Sequence, residues 1–252
     1  MKLLSVARDL QRRRAREREA LFVCEGVRAV EELLRSQIVV QGALVSPVLA
    51  GAPRGEALRA ALTSAQVPVV EVNERDFASA AATESPQGVL AVAEVPARSF
   101  ATLALPDRPR LLVLDGIQDP GNVGALLRTA AALDTHAVIA MPGTVDLWNG
   151  KVVRSAMGAL FHRPAFGADW DALGAFLAER KISLWGADGA GDDVAAIAAP
   201  PSLALVMGNE GAGLSERAQA LVARRVAIPI ARDVESLNVA VAAGILLHQL
   251  RP

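Results

Sequence analysis

Cysteine is nearly absent from this 252-residue sequence: Cys24 stands alone. One thiol forms no intrachain disulfide and cannot build a thiolate metal cluster. Cys24 reads instead as a small, buried and inert side chain. Histidine is almost as scarce, and His136, His162 and His248 lie far apart with no metal-ligand spacing. Lysine occurs only at positions 2, 151 and 181, so positive charge is carried by arginine. That bias is read as compositional, and no functional claim rests on it. The start, MKLLSVARDLQRRRARERE, lacks the apolar run and small-residue cleavage site of a secretory leader. Long apolar runs are missing as well, since Val239 to Leu247 is too short to span a bilayer. Together these absences predict a soluble, cytoplasmic protein with no metal and no membrane partner. The net charge of −1 provides no bulk field for nucleic acid, so a polyanion would need a local patch.

What is present is core-forming material. Hydrophobic residues make up 52% and charged residues 21%, enough for one large or two modest domains. The sharpest break is PARSFATLALPDRP (96–109), where three prolines disfavour helix and suit an extended linker. It divides the chain into 1–95 and 110–252. The first part opens with a helix whose middle carries Arg12, Arg13, Arg14, Arg16 and Arg18. A second helix is expected over 25–36 and a third over 55–65, with strands at 38–46, 68–72 and 88–95. The second part alternates more regularly. Strands are expected at 110–114, 137–141, 182–185, 203–207 and 225–228, separated by helices at 122–133, 149–160, 169–180, 215–223 and 237–250. Continuous apolar strand cores of this kind predict an α/β fold with a parallel sheet covered on both faces.

Three polar junctions fall where strands run into helices, the place where open α/β sheets bind ligands. LDGIQDPGNVGALLRTAAAL (114–133) carries Asn122, two nearby glycines and Arg128, a lone cation on an apolar helix. LALVMGNEGAGLS (203–215) empties a buried strand into a glycine-rich turn with Gly208 and one charge, Glu210. No Gly-Lys-Ser/Thr follows, and the spacing is not Gly-x-Gly-x-x-Gly, so neither a triphosphate loop nor a dinucleotide site is indicated. VAIPIARDVESLNVAVAAGILLHQL (226–250) places Ser236 to cap a helix apolar nearly all round, with Asn238 as a buried amide in its first turn. Taken singly, each junction reads equally well as a turn and a helix cap.

As an ordered set they resemble the SpoU-like RNA ribose 2′-O-methyltransferases of the SPOUT superfamily. The matching residues are Asn122, Gly124 and Arg128; Gly208, Glu210 and Gly213-Leu-Ser; Ile228-Pro229; and Ser236-Leu237-Asn238-Val239. KVVRSAMGALFHRP (151–164) is similar to the family's segment between its first two motifs. FVCEGVRAVEELL (22–34) and SPQGVLAVAEV (85–95) look like its small substrate-binding domain, an RNA-binding fold related to ribosomal protein L30e.

The resemblance implies a parallel sheet closed by a deep C-terminal trefoil knot, a homodimer, and S-adenosylmethionine as cofactor. By position, donor contacts fall to the backbone near Gly208, to Ile228 and to Leu237. It implies Arg128 as the catalytic group at the ribose hydroxyl, Asn122 orienting Arg128 or the ribose, and Glu210, Ser236 and Asn238 bracing the loops. Because arginine is normally protonated, stabilising the forming oxyanion suits Arg128 better than acting as a base. The RNA implied is 23S ribosomal RNA, with transfer RNA as the alternative. A catalytically silent RNA-binding protein on the same fold and a nucleotide-dependent oxidoreductase are the rival classes. The first would lose the donor motifs, which are intact here, and the second needs a dinucleotide fingerprint, which is missing. The arginine cluster at 12–18 reads either as a phosphate-binding surface or as a solvated helix face.

Overall fold

Two sheets, of four and six strands, organise the chain. The computed structural model describes residues 2–51, 54–231 and 233–251. Helices α1 (Lys2–Asp9) and α2 (Arg13–Glu19) lead into β1 (Leu21–Glu25), α3 (Val27–Leu34), β2 (Val40–Val45), α4 (Val48–Gly51) and α5 (Gly55–Ser64). β3 (Val69–Glu71), α6 (Glu74–Ala78) and β4 (Val89–Glu94) follow. The chain continues through β5 (Arg110–Leu114), α7 (Pro120–Ala132), β6 (Ala137–Ala140), α8 (Gly150–Ser155), α9 (Ala159–His162) and β7 (Ala165–Gly167). It ends with α10 (Trp170–Arg180), β8 (Ser183–Asp193), β9 (Leu203–Met207), α11 (Glu216–Leu221), β10 (Arg224–Ala227) and α12 (Val239–Gln249).

The first compact unit comprises the chain up to Ala97 together with Trp148–His162. Its sheet runs β1-β4-β2-β3, antiparallel except for the β2–β3 pair. Leu44, Leu90 and Val92 face Leu4 and Ala7 of α1 and Phe77 of α6. On the opposite face of β1 the fully buried Phe22 lies 4.5 Å, ring to ring, from Trp148 and 5.9 Å from Phe161. Cys24, next on that face, is also buried, and burial with the neighbouring Glu25 carboxylate pushes its thiol well above the usual range. Its thiolate is therefore suppressed.

Three expectations in this unit need correction. The opening helix is broken at residues 10–12, where the arginine cluster begins. Arg16 folds back there, its Nη1 donating to the carbonyls of Leu10 at 2.7 Å and Gln11 at 3.0 Å, and so closes the end of α1. Leu21–Glu25 is a strand and the next helix starts only at Val27, because Gly26 takes φ +100° between them. The helix expected over 149–160 is two short helices, separated where Met157 and Gly158 both adopt positive φ.

The second unit comprises Arg98–Leu147 and the chain from Arg163 onward. Its sheet is parallel throughout, in the order β10-β8-β9-β5-β6-β7. Leu111, Val113, Ile139, Leu184 and Val206 face one core, closed by Trp170, Leu173 and Phe176 of α10. The alternate residues Leu112 and Leu114 are buried on the other face, and α7 packs against α12. Parallel strands buried on both faces explain the uninterrupted apolar runs. The stretch 98–105 is not free chain. Phe100 stacks on Phe176 at 4.5 Å, Leu103 is buried, and Arg98 donates to the carbonyl of Arg163 at 2.7 Å. α12 is also less enclosed than its composition suggests, since Val241 and Ile245, one turn apart, are exposed. Arg110 is buried at the start of β5 and donates to the carbonyls of Leu250 (2.8 Å), Pro201 (2.6 Å) and Pro200 (3.1 Å). Desolvation pushes its pKa below the usual arginine range. Among the described residues no helix is long and apolar enough to cross a membrane.

Candidate functional site

The carboxyl ends of β5, β9 and β10 release three loops, and side chains tie them together. Asp115, buried at the end of β5, accepts the Ser215 N–H at 2.7 Å on its Oδ2. Ser215 in turn caps α11 by accepting from the Ala218 N–H. Asn209 donates from Nδ2 to the Gly116 carbonyl at 2.8 Å, while its Oδ1 accepts the N–H groups of Gly211 and Ala212 at 3.0 and 2.9 Å. Reciprocal backbone bonds of 2.9 Å between Asn209 and Gly213 close the glycine loop on itself. The loop is folded so tightly that a Cβ at Gly208 would lie 2.4 Å from the Gly213 carbonyl carbon. Gly208 is thus required by the loop's own backbone.

Asp119 caps α7 by accepting the Asn122 N–H at 2.8 Å, with Pro120 in the first turn. That cap fixes the position of Asn122. Its Nδ2 donates to Glu210 Oε1 at 2.8 Å, and its Oδ1 accepts from Asn238 Nδ2 at 3.0 Å. Asn238 Oδ1 accepts the N–H groups of Ala240 and Val241 at the start of α12. A carboxylate at one end and two backbone donors at the other leave a single consistent orientation for both amides. One residue from each junction therefore joins a continuous chain, Glu210–Asn122–Asn238. Two expectations change here. Asn238, not Ser236, caps the last helix, and Asn238 is exposed rather than buried in this chain.

Beside this chain lies a cavity of about 430 Å³, a size suited to a small-molecule ligand. Gly208, Glu210, Ile228, Ser236, Leu237 and Asn238 all line it. Its apolar wall comes from Met207, Val226, Ile230, Val239 and Leu246. Among the described residues the charged lining side chains are Asp188, Glu210 and Glu235. Arg225 pairs with Asp188 at 3.2 Å, which leaves Glu210 and Glu235 as the carboxylates without an ion pair among the described lining residues. A ligand with an apolar ring system and a positive centre fits such a wall. Among the described residues no cluster of metal-ligating side chains occurs.

Arg128 stands apart. It is exposed on α7, makes no ion pair among the described residues, and does not line the cavity. Asn122 does not line the cavity either, and meets it through its hydrogen bonds to Glu210 and Asn238 at the rim.

Sequence reasoning passed over Asp115, Asn209 and the segment Ala187–Gly189, which also lines the cavity. The last arises from a register shift in the β8–β10 pair, where Arg225 opposes Gly186 but Val226 opposes Asp192. Asp115 carried a usable signal, a lone carboxylate ending an apolar strand.

A parallel sheet with a loop-lined cavity at its carboxyl edge is the arrangement in which open α/β proteins bind small ligands. Residues 109–248 match the SpoU rRNA Methylase family, and residues 5–91 match the MRM3-like substrate binding domain. The chain is 33% identical over 245 residues to the 23S rRNA (guanosine(2553)-2′-O)-methyltransferase RlmP of Bacillus subtilis, covering 97% of this chain and 94% of that protein. The crystal structure of the SpoU methyltransferase AviRb from Streptomyces viridochromogenes in complex with AdoMet superposes with a TM-score of 0.89 at 26% identity, over 99% of this chain and 96% of the other. An AdoMet-bound rRNA methyltransferase from Sinorhizobium meliloti gives 0.86 at 26%, over 98% and 93%. The chain belongs to the SpoU rRNA methylase family.

Proposed function

We propose that this chain transfers a methyl group from S-adenosylmethionine to a ribose 2′-hydroxyl of 23S ribosomal RNA. Beside family membership, the observation that carries the reading is the Glu210–Asn122–Asn238 chain at the rim of a partly apolar cavity lined by the Glu210 and Glu235 carboxylates. S-Adenosylmethionine supplies an electrophilic methyl group on a sulfonium, and the carboxylates and apolar wall suit that charge and its adenosine. Gly208, Ile228 and Leu237 form the donor's backbone cradle.

The ribose hydroxyl is a weak nucleophile, so its developing negative charge needs a positive partner. Arg128 supplies it as an oxyanion stabiliser, a role for which an unpaired guanidinium is suited. Asn122, held at both ends of its amide, orients the ribose or Arg128. Glu210, Ser236 and Asn238 brace the loops.

Arg128 lies outside the cavity of its own chain, next to Thr129, whose Cγ2 would lie 3.4 Å from a Cβ at Gly244 of α12. The exposed Val241 and Ile245 flank Gly244 on that helix. A homodimer formed through the α7/α12 face would cover these apolar side chains and bring Arg128 to a second copy's cavity. The same reading takes 1–95 as the RNA-binding domain, 96–109 as the linker and 110–252 as the methyltransferase domain with a trefoil knot, and places the protein in the cytoplasm.

The test is Arg128→Ala. Methyl transfer should fall by about 100-fold or more, while S-adenosylhomocysteine binds with unchanged affinity by calorimetry. Near-normal turnover removes Arg128 from the chemistry. A mass-spectrometric map of 2′-O-methyl groups in a deletion strain identifies the RNA. A missing methyl in transfer RNA rather than 23S RNA overturns the substrate, and no missing methyl favours the silent RNA-binding reading.

A further inference from the structure

The first unit holds a second cavity, of about 750 Å³, lined by four arginines, Arg28, Arg35, Arg54 and Arg154. Two of them are already engaged. Arg54 pairs with Glu31 at 2.8 Å and Arg35 with Glu32 at 2.6 Å. Glu25, which also lines the cavity, has one carboxylate oxygen accepting the Ala82 N–H and the other the Thr83 hydroxyl. Arg28 and Arg154 have no side-chain partner among the described residues, and Arg154 Nη1 is buried without any acceptor. Burying an unpaired donor destabilises a fold, and a charged one more so. Arg154 as a whole is only partly buried, and the rest of its side chain lines the cavity, where a ligand can reach it.

The backbone adds to this. α3 begins directly at the cavity, and only its first N–H, that of Val27, is capped, by Gln87 Oε1 at 2.9 Å. The next two, on Arg28 and Ala29, have no acceptor among the described residues. Unpaired N–H groups and the helix dipole at this end favour an anion. Arg154 is brought to α3 by close packing, since a Cβ at Gly158 would lie 2.8 Å from Glu32 Cβ.

We propose that this cavity holds a backbone phosphate of the RNA substrate, bound by Arg28, Arg154 and the first N–H groups of α3. The inference rests on the reading of RNA as substrate, and it adds Arg154, from outside the substrate-binding segment, to the RNA-binding surface. A planar guanidinium matches two phosphate oxygens at once.

The experiment compares wild type with the double variant Arg28→Gln, Arg154→Gln, measuring affinity for transcribed 23S RNA over a salt series and methylation at saturating RNA. Two lost phosphate contacts should flatten the log–log salt slope by roughly 1.4–1.8. KM for RNA should rise while kcat and S-adenosylhomocysteine affinity stay the same. The single variant Arg154→Met, which removes a buried unpaired donor, should fold with a Tm equal to or above that of wild type. Parallel salt lines, or a lowered Tm for Arg154→Met, overturn the proposal. Inorganic phosphate is titrated alone as a second arm. Its binding with no change in the RNA slope would make the ligand a free anion and also overturn the proposal. If wild type itself methylates no RNA, the functional reading fails first, which is a distinct result.

Discussion

Gly208 offers a sharp test of how the donor loop is built, because Gly213 in the same loop is a glycine for a different reason. At Gly208 an added methyl would sit 2.4–2.6 Å from three backbone atoms of Gly213 and Leu214. Backbone atoms cannot yield by a rotamer change. Gly208→Ala must therefore open the loop by about 1 Å and strain the paired bonds between Asn209 and Gly213. Overpacking of this kind costs about 1–3 kcal/mol. At about 2–4 °C per kcal/mol, the second unit should melt several degrees lower. At Gly213 a Cβ meets nothing within 4 Å, but φ is +69°. Gly213→Ala pays only for the left-handed backbone, about 1–2 kcal/mol. Asn adopts that region more easily than Ala, so Gly213→Asn should recover much of the loss. No residue should rescue position 208. Calorimetry with S-adenosylhomocysteine and thermal melts of Gly208→Ala, Gly208→Asn, Gly213→Ala and Gly213→Asn provide the assay. Wild-type donor affinity and melting in Gly208→Ala would refute the steric reasoning. Equal rescue by Asn at both positions would show that backbone conformation, not space, selects both glycines.

Asn122→Ala removes two exposed hydrogen bonds worth about 0.5–1.5 kcal/mol each, so kcat should fall more than tenfold while the second unit melts at most several degrees lower. Asn122→Asp should be worse than Ala, because it sets a second carboxylate against Glu210; equal rates for the two would discount that contact. In the opening cluster Arg12 and Arg14 are exposed and unpaired among the described residues, whereas Arg13 pairs with Glu17 and Arg16 is buried. Arg12→Ala with Arg14→Ala should lower the RNA salt slope by up to ~1.8 if both touch phosphate, and an unchanged slope marks a solvated helix face. Arg110→Met leaves the carbonyls of Leu250, Pro200 and Pro201 without their donor and should destabilise the second unit by on the order of 3 kcal/mol, read as a loss of roughly 6–12 °C in Tm.

The sheet of the second unit was legible because its strands are buried on both faces. β5 and β9 coincide with their apolar runs at Arg110–Leu114 and Leu203–Met207. β1 was hidden because LFVCE is short and lies between two helix-forming stretches, and only the positive φ at Gly26 separates strand from helix. β7 has three residues, too few for a periodicity. In the site, the residues of the three junctions could be read, but their connections could not. Ser236 and Asn238 are both good caps, and the choice between them depends on where α12 meets Asn122, a contact between residues 116 positions apart. The role of Asn209 likewise depends on Gly116 in another loop. The four arginines of the first-unit cavity come from three separate stretches of sequence, Arg28 and Arg35 lying at the two ends of α3, and nothing local marks Arg154 as their companion.

The path of the polypeptide has a consequence for inheritance and for engineering. The chain passes from the first unit to the second after Ala97, returns at Trp148, and leaves again after His162. The first unit is therefore discontinuous in the gene, and neither half of a cut at residue 97 encodes a complete fold. A fragment ending there would expose Phe22, whose ring is covered by Trp148 and Phe161, and would lack Arg154. Exchanging the N-terminal segment alone between relatives would pair a foreign β1 with a native 148–162. Recombination that keeps the protein working must carry both pieces, so the two units are expected to change together rather than as interchangeable modules.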